Sequence, residues 1–253
     1  MILRKEASIE PAQLSFSPEG IPFSEDYGDV YHTKSGGVGQ SRHVFLGGND
    51  LPLRWQGRER FVILETGFGL GLNFLVTWAA WRADPQRARQ LDFISFEKHP
   101  FAAVDLARAH AALLAEAGEG GMAPQLEAEL AALACELAAA WPPLAPGRHD
   151  LVFADGRVRL GLVFADATQA LPRLSAPVDA FYLDGFSPAR NPDLWSEPLL
   201  AELARLAAPG ATLATWSVAA AVRRSLAAAG WQLAKRAGFA GKREMLYGRW
   251  PEA

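Results

Sequence analysis

Cysteine is nearly absent from this chain: Cys135 is the only one in 253 residues, so no internal disulfide can form. No apolar run approaches the ~18 residues that a membrane-spanning helix requires. The N-terminal MILRKEASIEPAQ lacks the apolar core of a secretory signal. These absences argue against a disulfide-stapled secreted scaffold and a helical membrane protein, and they imply a soluble, cytoplasmic chain. Internal repeats and low-complexity tails are also missing. Cys135 lies within APQLEAELAALACELAAAW, whose spacing predicts an amphipathic helix with the cysteine as a small buried core residue rather than a nucleophile.

Acidic residues are scarce in one region. The net charge of −3 speaks weakly against a nucleic-acid partner, yet residues 205–250 hold eight basic side chains against one acid, Glu244. The eight are Arg205, Arg223, Arg224, Lys235, Arg236, Lys242, Arg243 and Arg249. Such a block is either an ordinary solvated face or a phosphate-binding surface.

The most informative stretch present is FVILETGFGLGLNFL, residues 61–75, an apolar strand pattern running into glycines and then into an apolar helix pattern. Glycine there lets the chain turn sharply and lets a ligand approach bare backbone. A dinucleotide fingerprint requires G-x-G-x-x-G, whereas Gly67, Gly69 and Gly71 form G-x-G-x-G and Leu72 stands where the third dinucleotide glycine belongs. That departure counts against a dehydrogenase-type Rossmann domain. Glu65, two residues before Gly67, would repel a pyrophosphate but suits the sulfonium and amino group of S-adenosylmethionine. Asn73, in the first helical turn, joins the expected cofactor-binding set. The alternative is a glycine-rich turn without a ligand.

A second acid, Glu97, ends the buried strand pattern LDFISFEK, where its carboxylate could accept both hydroxyls of a ribose. Asp166 ends another strand and is expected either to contact the adenine amino group or to cap the following turn. Asp184 follows the strand VDAFYL, with Phe186 and Pro188 just beyond it. An acid followed by an aromatic at this place suits N-methylation, in which the acid orients a neutral amine and the aromatic stacks on a base. Carbon methylation of a pyrimidine normally requires a cysteine nucleophile, and Cys135 is badly placed for it. Asp184 as a turn cap is the structural alternative.

The pattern of elements is α/β: a Rossmann-like, doubly wound sheet over residues 58–253, preceded by a β-rich extension over residues 1–57. VYHTKSGG and HVFLGGNDLPLRW read as strands within the extension. A helical insert spans about 101–141 and is interrupted at GEGGMAP; Asp155 and Gly156 form a hairpin turn, and the chain closes with two strands around a basic turn.

Taken in order, VFLGGNDL, ETGFGLGLNFL, SFEKHP, WPPLAPGRHDLVFADGRVRL, FYLDGFSPARNPDLW, PGATLATWS and GFAGKREMLYG resemble the methyltransferase module of the MnmC/MnmD family over about residues 25–250. The resemblance implies a class I S-adenosylmethionine-dependent methyltransferase acting on the primary amine of 5-aminomethyl-2-thiouridine at the wobble position of tRNA. It implies Gly67, Gly69 and Gly71 in the cofactor turn and Asp184 in the amine pocket. Neither FAD nor a metal is expected, because the chain reads as the stand-alone form without the oxidase module of bifunctional relatives. Arg223, Arg224, Lys242 and Arg243 are the expected tRNA phosphate contacts. Two other functions fit less well: an amine methyltransferase for a small molecule or protein, which the basic block disfavours, and a tRNA-binding relative without turnover.

Overall fold

The protein is described here by a computed structural model covering residues 9–252. Residues 1–8 and 253, parts of the two expected units, lie outside the described residues. Three short strands open the fold, β1 (Ser15–Phe16), β2 (Pro22–Ser24) and β3 (Asp29–Val30), paired antiparallel in the order β1-β2-β3. Helical turns follow: α1 (Gly37–Gln40), a π-helical segment Ser41–Leu46, and 3-10 turns at Gly47–Asn49 and Leu53–Trp55. The expected strand over HVFLGGNDLPLRW is therefore helical. Its contiguous apolar residues Val44, Phe45 and Leu46 are all buried, and a wide helical turn can bury neighbours that a half-exposed strand would send to opposite faces.

The main sheet begins with β4 (Arg60–Glu65), which leads into α2 (Leu72–Ala83) and β5 (Gln90–Glu97). Helices α3 (Ala103–Glu119) and α4 (Pro124–Ala139) are the expected insert. Strands β6 (Gly147–Phe153) and β7 (Val158–Phe164) then form the hairpin turned by Asp155 and Gly156. After the short helix α5 (Ala167–Ala170) come β8 (Val178–Tyr182), α6 (Glu197–Leu206), β9 (Ala207–Thr215), α7 (Ala220–Ala228), β10 (Gln232–Ala237) and β11 (Glu244–Arg249). The eight strands lie in the order β10-β11-β9-β8-β4-β5-β7-β6. The five central strands are parallel, while β11, β10 and β6 are antiparallel.

From β4 the chain proceeds through β5 to β7 on one side, then returns to the other side of β4 to lay down β8 and β9. The strand order thus reverses at β4, and a crevice opens beyond the carboxyl ends of β4 and β8, where open α/β sheets take their ligands. On one face of the sheet Phe74 and Trp78 of α2 pack with Phe93 and with α4; on the other Phe181 packs with Leu203 of α6 and with α7. The extension shares the first of these cores through Phe45 and Trp55. Asn49, fully buried, donates to the carbonyls of Phe45 at 2.9 Å and Phe181 at 3.4 Å and accepts from the Thr212 hydroxyl at 2.6 Å.

Cys135 is exposed, contrary to the expectation of a core position. Leu130, Leu133, Ala134 and Leu137 form the buried stripe of α4, and Cys135 lies beside it, roughly 100° around the helix from Ala134. No helix among the described residues is long and apolar enough to cross a membrane.

Candidate cofactor and acceptor cleft

The loop after β4 turns on its glycines. Gly69 and Gly71 have φ of 52° and 73°, in the left-handed region that disfavours other residues, and Gly71 is the N-cap of α2. Gly67 is held where a Cβ would stand 3.1 Å from the Asp184 carbonyl oxygen, so the β4 and β8 loops meet closely. The Leu70 carbonyl is fixed from behind by His110 Nε2 at 2.7 Å.

Above this loop lies a cleft of about 480 Å³, a size usual for small-molecule sites. Gly67, Gly69, Asn73, Glu97, Asp166 and Asp184 are in its wall. Glu97 accepts from the Gly69 backbone N–H and the His99 backbone N–H, each at 2.8 Å, one on each carboxylate oxygen. Each oxygen retains acceptor capacity for a vicinal diol. Asp166 is the N-cap of α5: one oxygen accepts from Thr168 N at 2.9 Å and from the Thr168 hydroxyl at 2.6 Å, while the other pairs with Lys98 at 3.0 Å. Burial opposes ionisation of Asp166, but the Thr168 and Lys98 contacts outweigh it and hold the carboxyl below its ordinary value.

Glu65 does not stand in the cleft wall. The strand-end geometry directs it inward, where it is fully buried and accepts from Asn73 Nδ2 at 2.8 Å and from the Ser95 hydroxyl at 2.7 Å. The direct sulfonium contact expected from its charge is replaced by a supporting position one layer below, with Asn73 between Glu65 and the cleft. Burial pushes its carboxyl well above the ordinary glutamate range, and the neighbouring Asp184 adds to the rise.

Asp184 forms the floor between the two loops. Its Oδ1 accepts from Gly185 N at 2.8 Å and Trp216 Nε1 at 3.2 Å, and its Oδ2 from Asn73 Nδ2 at 2.7 Å. Burial raises its pKa despite these donors. Phe186 also lies in the wall, but Tyr27 stacks on it with ring centroids 4.4 Å apart, and Tyr31 meets it edge-on at 5.1 Å. The strand pair β2–β3 thereby roofs the cleft, and Asp29 accepts from Ser187 N at 3.2 Å to hold that roof. Pro188 is half-buried just outside the wall.

A sequence-family profile described as S-adenosyl-L-methionine-dependent methyltransferase matches residues 128–251. The chain is 58% identical over 241 residues to the tRNA 5-methylaminomethyl-2-thiouridine biosynthesis bifunctional protein MnmC of Aromatoleum aromaticum, a match covering 95% of this chain and 36% of that protein. Its identity to the protein of the same description from Methylibium petroleiphilum is 53% over 245 residues, covering 97% of this chain and 35% of the relative. The chain belongs to the MnmC/MnmD methyltransferase family. It spans about a third of the length of these relatives. The crystal structure of MNMC2 from Aquifex aeolicus superposes with a TM-score of 0.71 at 20% identity, covering 98% of this chain and 73% of that one, and shares the class I methyltransferase fold.

The methyltransferase cleft meets the basic block at Lys242, which lines its mouth with its ammonium 4.6 Å from the centroid of Trp216. Four of the eight basic residues are neutralised locally: Arg205 by Glu202, Lys235 by Glu244, Arg236 by Asp50 and Arg249 by Glu252. Arg223, Arg224, Lys242 and Arg243 form no ion pair among the described residues. Of these only Lys242 reaches the cleft; the others stand on α7 and on the turn before β11. Sequence reasoning missed Trp216, Tyr27 and Tyr31. Trp216 carried a usable signal, an aromatic directly after a strand that neighbours β8, whereas the tyrosines carried none.

Proposed function

We propose that this chain transfers a methyl group from S-adenosylmethionine to the primary amine of 5-aminomethyl-2-thiouridine at the wobble position of tRNA, in the cytoplasm. The observation that carries the reading is Asp184: a carboxylate held by three donors on the floor of a cleft, directly beside the glycine turn. The descriptions of the relatives, which concern tRNA 5-methylaminomethyl-2-thiouridine biosynthesis, agree with it.

The residues present fit the cofactor. The backbone from Gly67 to Gly69 lines the cleft without side chains at its two glycines, Glu97 has acceptor capacity for ribose hydroxyls, and Asp184 adds negative charge beside the place for a sulfonium. When bound, S-adenosylmethionine supplies the methyl group. Asp166 would meet the adenine end from its capped position beside Lys98. Asp184 orients the acceptor amine through a hydrogen bond and stabilises the positive charge that develops on nitrogen. Tyr27, Tyr31 and Phe186 form an aromatic roof that excludes water and offers ring surface to a base. Pro188 flanks the acceptor side, and Arg223, Arg224, Lys242 and Arg243 engage tRNA phosphates. In this organisation the extension before residue 58 supplies the roof, and residues 58–253 form the methyltransferase domain.

Mass analysis of wobble nucleosides after incubation of the protein with labelled S-adenosylmethionine and hypomodified tRNA tests this directly. Labelled 5-methylaminomethyl-2-thiouridine is the expected product. Absence of label from the wobble nucleoside, or equal labelling of free aminomethyl nucleoside, would remove tRNA as the substrate.

A further inference from the structure

Trp216 follows β9 and stands half-buried between the two functional regions. Its indole N–H donates to Asp184 Oδ1 at 3.2 Å, while the face of the same ring lies 4.6 Å from the ammonium of Lys242 on the turn between β10 and β11. Lys242 is exposed and has no carboxylate partner among the described residues, so its ring contact is not a by-product of an ion pair. Trp195 meets the same indole edge-on at 6.2 Å, which limits the directions in which the ring can tilt.

A cation over an indole face draws π density toward itself and leaves the N–H more positive, so the hydrogen bond at the ring edge strengthens. From this geometry we propose that Trp216 is a positioning residue that couples Lys242 at the cleft mouth to Asp184 on its floor. The coupling makes the orientation and charge of Asp184 sensitive to what Lys242 touches. A polyanionic substrate that engages Lys242 at the rim therefore acts on the carboxylate that receives the amine. This inference rests on the reading of Asp184 as the amine-orienting group. Asp184 also feels Lys242 directly through space and is faced by Glu65 from β4 and by the Asn73 amide from α2.

The test is a double-mutant cycle with Trp216→Phe, which keeps an aromatic face and loses the N–H, and Lys242→Met, which keeps the stem and loses the charge. Single-turnover methylation is measured with tRNA and S-adenosylmethionine both saturating, so that lost tRNA affinity does not enter. Trp216→Phe should slow the step by about tenfold, the scale of a hydrogen bond to a charged group. Lys242→Met should slow it by about threefold. The double variant should be slower than Trp216→Phe alone by clearly less than threefold, because only the direct field of Lys242 on Asp184 then remains.

Multiplying effects would mean that the two side chains act independently, and an unchanged rate for Trp216→Phe would mean that the indole is only a wall; either overturns the proposal. A second readout needs no turnover. The carbon-13 carboxyl resonance of Asp184, followed through a pH titration, should move to higher pKa in Trp216→Phe, and Lys242→Met should shift it further in the wild type than in the Trp216→Phe background, where only the direct field of Lys242 acts. Should the wild type methylate no tRNA, the substrate reading falls, while this titration still decides the coupling. Should Trp216→Phe fail to fold, Trp216→Leu, which also lacks the indole N–H, takes its place in both readouts.

Discussion

Asn73 donates through its side-chain nitrogen to Asp184 at 2.7 Å, and the same nitrogen reaches Glu65 at 2.8 Å. One amide group with two protons is thus fully committed to two carboxylates, one on the cleft floor and one beneath it. The arrangement holds Asp184 in a single orientation without filling the space where an amine would sit. It also makes Asp184 the group whose removal is most informative.

Asp184→Asn keeps the size of the side chain and removes its charge. Cofactor and tRNA affinities should stay near those of the wild type, while single-turnover methylation slows by about 10²-fold, the scale of one preorganised electrostatic contact. The wild-type rate should rise with pH until the bound amine is deprotonated, since only the lone-pair form attacks. Near-wild-type turnover in Asp184→Asn, with chemistry rate-limiting, would leave this residue as a turn cap.

Glu65 gives a pH dependence of stability whose sign is fixed. Its folded pKa is raised above the ordinary 4.5, so between those two values the folded protein keeps a proton that the unfolded chain has released. The contribution of Glu65 to stability is then fully present below the unfolded value and is lost as pH rises through the folded one. Glu65→Gln should flatten the decline of the urea midpoint over this window. Parallel pH profiles for the variant and the wild type would show that Glu65 does not titrate there.

Gly69→Val should abolish S-adenosylmethionine binding in calorimetry. With φ at 52° and Tyr31 3.3 Å from the position of a Cβ, a branched side chain strains the turn and crowds the roof together. Unchanged affinity would remove the glycine turn from the cofactor site.

Replacing Arg223, Arg224, Lys242 and Arg243 together by alanine should weaken tRNA binding and flatten its salt dependence. Each lost phosphate contact should take roughly 0.7 to 0.9 from the log–log slope. If filter binding at graded salt gives the wild-type slope, these four residues are a solvated face.

Asn49→Ala would leave the Thr212 hydroxyl and two backbone carbonyls without their buried partner. Loss of about 2–4 kcal/mol is expected in urea unfolding, with one cooperative transition because the extension shares its core with the sheet. Two separate transitions would show that the extension is stabilised on its own.

The parts of this architecture legible in the sequence are those set by local chemistry. The apolar run before Gly67 and the helix pattern after Gly71 read correctly because a left-handed turn has few alternatives to glycine. The Asp155–Gly156 hairpin and the two strands around the basic turn read for the same reason. Val44, Phe45 and Leu46 misled because three adjacent apolar residues carry no period, so only the packing partners decide between strand and helix. Cys135 was misplaced because its neighbours Leu133, Ala134 and Leu137 set the buried stripe, and a small residue beside that stripe fits either side. At the site, Glu97 and Asp184 were marked by their places at strand ends, but the inward turn of Glu65 depends on Ser95 from the next strand. The roof escaped notice because Tyr27 meets Phe186 only through the tertiary fold.

The division of the basic block into neutralised and free cations has a directional consequence. In a molecule of net charge −3, the four cations of this block without ion pairs among the described residues gather positive charge on α7 and the turn before β11. A polyanion feels these charges only within about a Debye length, about 8 Å at physiological salt. On the proposed tRNA substrate, this short-range attraction favours collisions that bring a phosphate to Lys242 at the cleft mouth.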